Sequence, residues 1–176
     1  MEQLICQKLL ELMEERPYDR IKVTELVKHA GIGRSTFYSH FDSIYSVVQK
    51  IEDDFIAGLP DEAAYTKDAL SDRRSRAGYF EHLRQNKRTY RILNGPNGDP
   101  SFRIRLMNRT RRILLTHVAS PAKTPHDAAE QRMICEFLQG GYEHMFAWWL
   151  EHDEEFSTYE MVLLTERIAG DLYRCL

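Results

Sequence analysis

The segment AGIGRSTFYSHF, residues 30–41, concentrates side chains able to recognise nucleic acid. Arg34, Ser35, Thr36, Tyr38, Ser39 and His40 carry guanidinium, hydroxyl, phenol and imidazole groups. These are the types that reach phosphates and base edges on duplex DNA. Phe37 and Phe41 lie among them, four residues apart. On a helix that spacing stacks both rings on one face, so the polar set must take the rest of the surface. A purely structural role for the segment accounts for the two Phe. It does not account for Thr36, Tyr38 and His40 together on the outside.

Other chemistry finds less support. His152-Asp153-Glu154-Glu155, with His144 two turns earlier, is the one cluster that resembles a metal-binding set. Its spacing matches no HExxH-type motif, and acidic residues are ordinary just before a helix. There is no nucleophile elbow, phosphate loop or paired Cys–His pattern, so the sequence predicts neither an enzyme nor a metal site nor a cofactor. Cys6, Cys135 and Cys175 are odd in number and far apart with no CxxC spacing, so neither a disulfide framework nor a zinc site follows. No run approaches the roughly 18 apolar residues of a membrane span. The first residues show no basic leader and no cleavage site, so a cytoplasmic protein without membrane association is expected.

The elements that position the polar set are helices, and no alternating strand pattern is present. Helix 1 is expected over Glu2 to about Glu15, with Ile5, Leu9 and Leu12 on one face, and Arg16-Pro17-Tyr18-Asp19 breaks it. Helix 2 follows from about Thr24 to Ala30, burying Leu26, Val27 and Ala30. Gly31-Ile32-Gly33 forms a tight turn, and helix 3 takes Arg34 to His40. Ser43 reads as the N-cap of a long helix 4 with the stripe Ile44, Val47, Val48, Ile51, Phe55, ended by Gly58-Leu59-Pro60. Two short helices joined by a glycine turn, the second greasy on one side and polar on the other, describe a helix-turn-helix. Such a second helix enters the major groove.

Beyond helix 4, residues 61–72 are polar and carry no clear signal. Helices are expected from Arg73 to Gln85, up to Leu93, from Asp99-Pro100 to about His117, from Thr124-Pro125 to about Glu151, and from a Ser157–Glu160 capping box to the C-terminus. The fold class is therefore all-α, with about nine helices.

IKVTELVKHAGIGRSTFYSHFDSIYSVV resembles the DNA-binding domain of the TetR/AcrR family of bacterial transcriptional regulators, without gaps from about Ile5 to Phe55. NGPNGDPSF and the closing WWL helix resemble a sub-group of Gram-positive members. The resemblance implies a helix-turn-helix domain over residues 1–55 and a helical effector-binding and dimerisation domain over 56–176. It implies a homodimeric repressor of a palindromic operator in double-stranded DNA, released by an unidentified small-molecule effector. Thr36 and Tyr38 match positions that touch bases or backbone, and His40 matches one that grips phosphate. Arg34, Ser35 and Ser39 match variable positions that set operator sequence, and Thr24 matches a phosphate contact at the start of helix 2. Two residues depart from the pattern. Gly33 stands where relatives cap helix 3 with a hydroxyl, and Ile44 stands where they carry a phosphate-binding Lys. These departures leave open an alternative on the same fold, a co-activator or adaptor that works through protein partners with weak or no DNA binding.

In the last two helices Phe137, Leu138, Gly141, Met145, Trp148, Trp149, Leu164, Ile168 and Leu172 recur at near-helical spacing and are candidates for a four-helix dimer interface. An intrachain core explains the same spacing. Operator half-sites about 34–36 Å apart require paired recognition helices, which favours the dimer. An effector pocket is expected among the middle helices, near Tyr79, Phe80, Leu83, Tyr90, Phe102, Leu106 and Met107, residues that would serve a core as readily. Charge is uneven. Residues 73–112 hold twelve Arg or Lys against Glu81 and Asp99, whereas residues 113–176 hold four against eleven acidic side chains. Mutual pairing or solvation is the plain reading of that asymmetry, and anion binding by the basic stretch is the sharper one.

Overall fold

The computed structural model describes residues 1–60, 73–113, 115 and 122–172. Those residues form nine α-helices and no strand: α1 Glu2–Met13, α2 Val23–Ala30, α3 Arg34–Tyr38, α4 Ile44–Ala57, α5 Arg73–Gln85, α6 Lys87–Asn94, α7 Pro100–Ile113, α8 Pro125–Glu151 and α9 Thr158–Leu172. One turn of 3-10 helix, Tyr18–Arg20, separates α1 from α2. The all-α class follows, and the helix boundaries stay within a few residues of the periodicity. The polar stretch 61–72, residues 114, 116 and 117 of the expected extension of α7, and Cys175 lie outside the described residues.

Contacts divide the chain into two units. The first comprises Met1–Gly58 with Arg88–Ile104, and the second Leu59–Lys87 with Arg105–Leu176. The core of the first unit is built from Ile5, Leu9 and Met13 of α1, Leu26 of α2, Phe37 of α3, and Val47, Val48 and Phe55 of α4, all buried. Ala30 and Ile44, expected inside, are only half-buried. α4 begins where Ser43 Oγ accepts the Ser46 N–H at 3.1 Å and Ser46 Oγ accepts the Ser43 N–H at 3.1 Å, a reciprocal cap.

Residues 88–104 complete this unit. Tyr90 and Phe102 pack their rings on Phe55 at centroid distances of 5.9 and 5.7 Å. The turn 94–98 docks on the end of α1: Asn97 Nδ2 donates to the Met13 carbonyl at 2.8 Å, and the Tyr18 N–H donates to the Asn97 carbonyl at 3.1 Å. Arg88 pairs with Glu14 at 2.6 Å and holds that carboxyl below its ordinary range. Gly98 is required here. A Cβ at that position would sit 2.2 Å from the Leu93 carbonyl oxygen.

In the second unit α5 packs on α9, where Arg73 pairs with Glu166 at 3.0 Å. α8 opens with the predicted device: Thr124 Oγ1 accepts the Asp127 N–H at 3.1 Å, and Asp127 Oδ2 accepts the Thr124 N–H at 3.0 Å. Ser157 and Glu160 form the same arrangement before α9, with bonds of 2.7 and 3.3 Å. Trp149 is wholly buried, and its Nε1–H donates to the Phe156 carbonyl at 2.6 Å. Phe80 meets Phe146 at 5.3 Å and Trp149 at 5.7 Å, so the aromatic core of this unit joins α5 to α8.

Candidate functional site

The polar segment is held by a helix-turn-helix whose geometry follows from a few residues. Lys22 caps α2 in extended backbone, and its N–H donates to Glu25 Oε2 at 3.2 Å. Glu25 also pairs with Arg16 at 3.1 Å, which fixes the entry to the helix. α2 ends at Gly31, whose φ of 68° is in the left-handed region that glycine adopts without strain. The Ile32 N–H then donates back to the Val27 carbonyl at 3.0 Å, turning the chain sharply into α3. Gly33 caps α3 with no side-chain acceptor, as its identity dictates.

α3 is five residues long and ends at Tyr38, two residues sooner than its pattern predicts. Ser39 Oγ donates to the Thr36 carbonyl at 2.8 Å, and the Phe41 N–H donates to the Phe37 carbonyl at 2.9 Å. Side chain and backbone thus cap the last carbonyls and close the helix. Phe37 is fully buried and Phe41 nearly so, their rings 6.2 Å apart. Tyr38 turns the other way and is 56% exposed, resting its ring edge-on against Phe37 at 5.3 Å. Arg34 and Ser35 are exposed and Thr36 is half-exposed, all on α3, while Ser39 and His40 are exposed in the turn that follows it. Thr24 is exposed as the second residue of α2.

α1 braces this motif electrostatically. Glu11 Oε2 lies 2.8 Å from His29 Nε2 at the end of α2 and 2.9 Å from Lys8. The Lys8 and His29 bonds, in that order, hold the Glu11 carboxyl below its usual range. Glu2 Oε1 stands 3.6 Å from His40 Nδ1, so the imidazole expected to face phosphate already has an anionic neighbour.

A polar, solvent-facing second helix behind a glycine turn is the geometry of a groove-reading module, and the comparisons agree. Residues 5–51 match the model of bacterial regulatory proteins, tetR family. Residues 77–171, more than half of the chain, match the TetR model described as transcriptional regulator C-terminal region. The chain belongs to the TetR family. It is a transcriptional regulator of that family. Among solved structures, the dihydroxyacetone kinase operon activator DhaS is similar at a TM-score of 0.58 and 15% identity, over 97% of this chain and 93% of that one. A likeness at that identity supports the fold alone. No curated protein matches the chain.

In this TetR protein the candidate interface residues fall on two faces of α8. Leu138 and Trp149 are buried within their own chain. Phe137 and Trp148, their neighbours in sequence, are 69% and 53% exposed. Gly141 is exposed, Met145 is half-buried, and a Cβ added at Gly140 or Gly141 would meet nothing within 4 Å. Met133, 74% exposed, and His144 extend the outward ridge. The spacing 133, 137, 141, 144, 148 was the signal that could have found them. On α9, Leu164 and Ile168 are half-buried, and Leu172 closes the helix.

The candidate effector residues also separate. Tyr90 and Phe102 belong to the first unit, packed on Phe55. Tyr79, Phe80, Leu83, Leu106 and Met107 belong to the second, where Phe80 and Leu83 are buried and the others half-buried. The basic stretch is extensively paired. Lys87 meets Asp153 at 2.8 Å, Arg111 meets Glu136 at 2.9 Å, and Arg84 meets Glu81 at 3.1 Å. Buried Arg109 donates to the Pro60 carbonyl. His152, from the cluster considered for metal, stacks on Trp148 at 4.1 Å with its Nδ1 2.8 Å from the Trp148 carbonyl.

Proposed function

We propose that the chain is a cytoplasmic, non-enzymatic repressor that binds a palindromic operator as a homodimer and releases it when a small molecule binds. Residues 1–55 read the DNA, and residues 56–176 hold the effector and the partner protomer. The observation that carries this reading is Tyr38, exposed to 56% beside a wholly buried Phe37. A phenol turned outward between Thr36 and His40, with one ring edge on Phe37 as its packing contact, suits a groove better than a core. Arg34 and Ser35 then lie at the N-terminal end of α3, where base edges are read, and Thr24 with His40 meets phosphates.

Dimerisation follows from the outward ridge Met133, Phe137, Gly141, His144 and Trp148, whose occupant is a second copy of the chain. The glycines let the two backbones approach, and pairing places two α3 helices for two half-sites. Release runs through α4, which carries one buried stripe from the helix-turn-helix onward. A ligand that shifts α4 changes the separation of the two recognition helices. Coupling of this kind is worth about 1–3 kcal/mol, a 5–150-fold change in operator affinity.

The fold neighbour is named an operon activator, and Gly33 and Ile44 weaken two DNA-facing positions. Those observations favour, as the second reading, a co-activator that acts through protein partners. Titrating the purified chain against the DNA upstream of its own coding region separates the two. Tight binding that weakens steeply with salt supports the repressor, and no binding at low salt supports the adaptor.

A further inference from the structure

We propose that Gln139 is a recognition residue for the effector, its carboxamide oxygen accepting a hydrogen bond from a hydroxyl or N–H of a small, largely apolar molecule. The proposal rests on the effector-release reading and gives it a residue and a ligand chemistry.

Gln139 sits in the middle of α8 and is only 4% exposed. It lies on the inward face with Cys135 and Leu138, away from the ridge that includes Phe137 and Gly141. Its Nε2–H donates to the Met107 carbonyl on α7. That bond fixes the amide, because a flip would set Oε1 against the Met107 oxygen. The remaining atom, Oε1, is buried and has no hydrogen-bond partner. Native proteins keep few buried acceptors unsatisfied, and a Leu or Met of similar volume would fill this place without a lone pair to satisfy. A polar group retained there is explained by a donor that arrives from outside.

The surroundings narrow the class of that donor. Met107, whose carbonyl receives the Gln139 bond, and its sequence neighbour Leu106 are half-buried on α7. Tyr142, one turn along α8, is half-buried and stacked on Phe146 at 5.6 Å and 16°. The body of the ligand is therefore apolar or aromatic. An acceptor-only anion would oppose Oε1, and a pure hydrocarbon would leave it unsatisfied.

Phenol and anisole provide the test, being one ring with and without a donor. Calorimetric titration of the full chain, without DNA, should show phenol binding about tenfold tighter than anisole. Gln139→Leu should bring the two within about twofold of each other, on the same reasoning. Gln139→Met is a second variant should the first fail to melt cooperatively. Equal affinity of wild-type protein for the two probes overturns the proposal, as does a phenol preference that survives in the folded variant. Absence of phenol binding at millimolar concentration also overturns it, leaving Oε1 to an ordered water only. Operator titration is independent of all these outcomes, so failure here leaves DNA binding standing, and failure there leaves the probe preference measurable.

Discussion

Tyr38 and Phe37 are neighbours on α3 with opposite burial, and truncating each to Ala should produce opposite results. Phe37 is 0% exposed in the centre of the first unit, so Phe37→Ala opens a cavity and should cost about 3–5 kcal/mol. Tyr38 loses mainly its edge contact with Phe37 at 5.3 Å, worth about 0.5–1.5 kcal/mol. Its effect should appear on DNA instead. A lost base contact costs about 1–3 kcal/mol, and the proposed homodimer would lose it twice, so operator affinity should fall by about 2–6 kcal/mol. That is about thirtyfold to more than ten-thousandfold in Kd. Tyr38→Phe, which deletes only the hydroxyl, separates hydrogen bonding from stacking. Thermal melting and fluorescence anisotropy on the same preparations read both quantities. If Tyr38→Ala melts as low as Phe37→Ala, or binds operator like the wild type, the assignment of the two faces of α3 is wrong.

Phe137→Glu places a charge on the outward ridge of α8. Light scattering should fall from about twice the 20.7 kDa of the chain to the monomer value, with helicity unchanged; a dimer that persists would remove α8 from the interface. Gly98→Ala forces a Cβ against the Leu93 carbonyl and should lower stability by about 1–3 kcal/mol, as overpacking does, and unchanged chemical denaturation would contradict the docked turn. Burial first, then Asp54, pushes the Cys6 thiol up to about 11. Its thiolate population at pH 8 is roughly a hundredfold below that of an ordinary thiol, so iodoacetamide labelling should be correspondingly slow. Asp127, Glu160, Asp153 and Glu14 are all held below their usual range by caps or ion pairs. Their contribution is present above the unfolded carboxylate values and lost as pH falls through the folded ones, so the melting temperature should drop on acidification below about pH 4.

Local devices were legible in the sequence, and long-range choices were not. Thr124–Asp127 and Ser157–Glu160 could be read directly because a capping box needs only its own four residues. The helix-turn-helix was equally legible, since the Phe37/Phe41 spacing and Gly31 specify it without help from the rest of the chain. The early end of α3 is not legible in sequence because the Ser39 hydroxyl's bond to the Thr36 carbonyl competes with helix continuation, and residue type alone does not settle that contest. Phe137-Leu138 and Trp148-Trp149 are adjacent apolar pairs. Sequence shows that one of each pair faces inward, but which one depends on what the neighbouring helices supply, as Phe80 of α5 does for Trp149. Tyr90 and Phe102 read as pocket lining in sequence because the ring that claims them, Phe55, is dozens of residues away. Gln139 gave no sequence signal at all, since a polar residue in a helix is ordinarily exposed.

Selection from a random-sequence duplex library by the purified chain asks outright whether it reads DNA. One inverted repeat should be enriched, with half-site centres about 10–10.5 base pairs or a multiple apart, bound with a steep salt dependence. Loss of that enrichment with Tyr38→Ala would tie it to α3. If folded wild-type protein enriches no sequence and retains no duplex even at low salt, the chain does not read DNA, and the repressor reading is wrong.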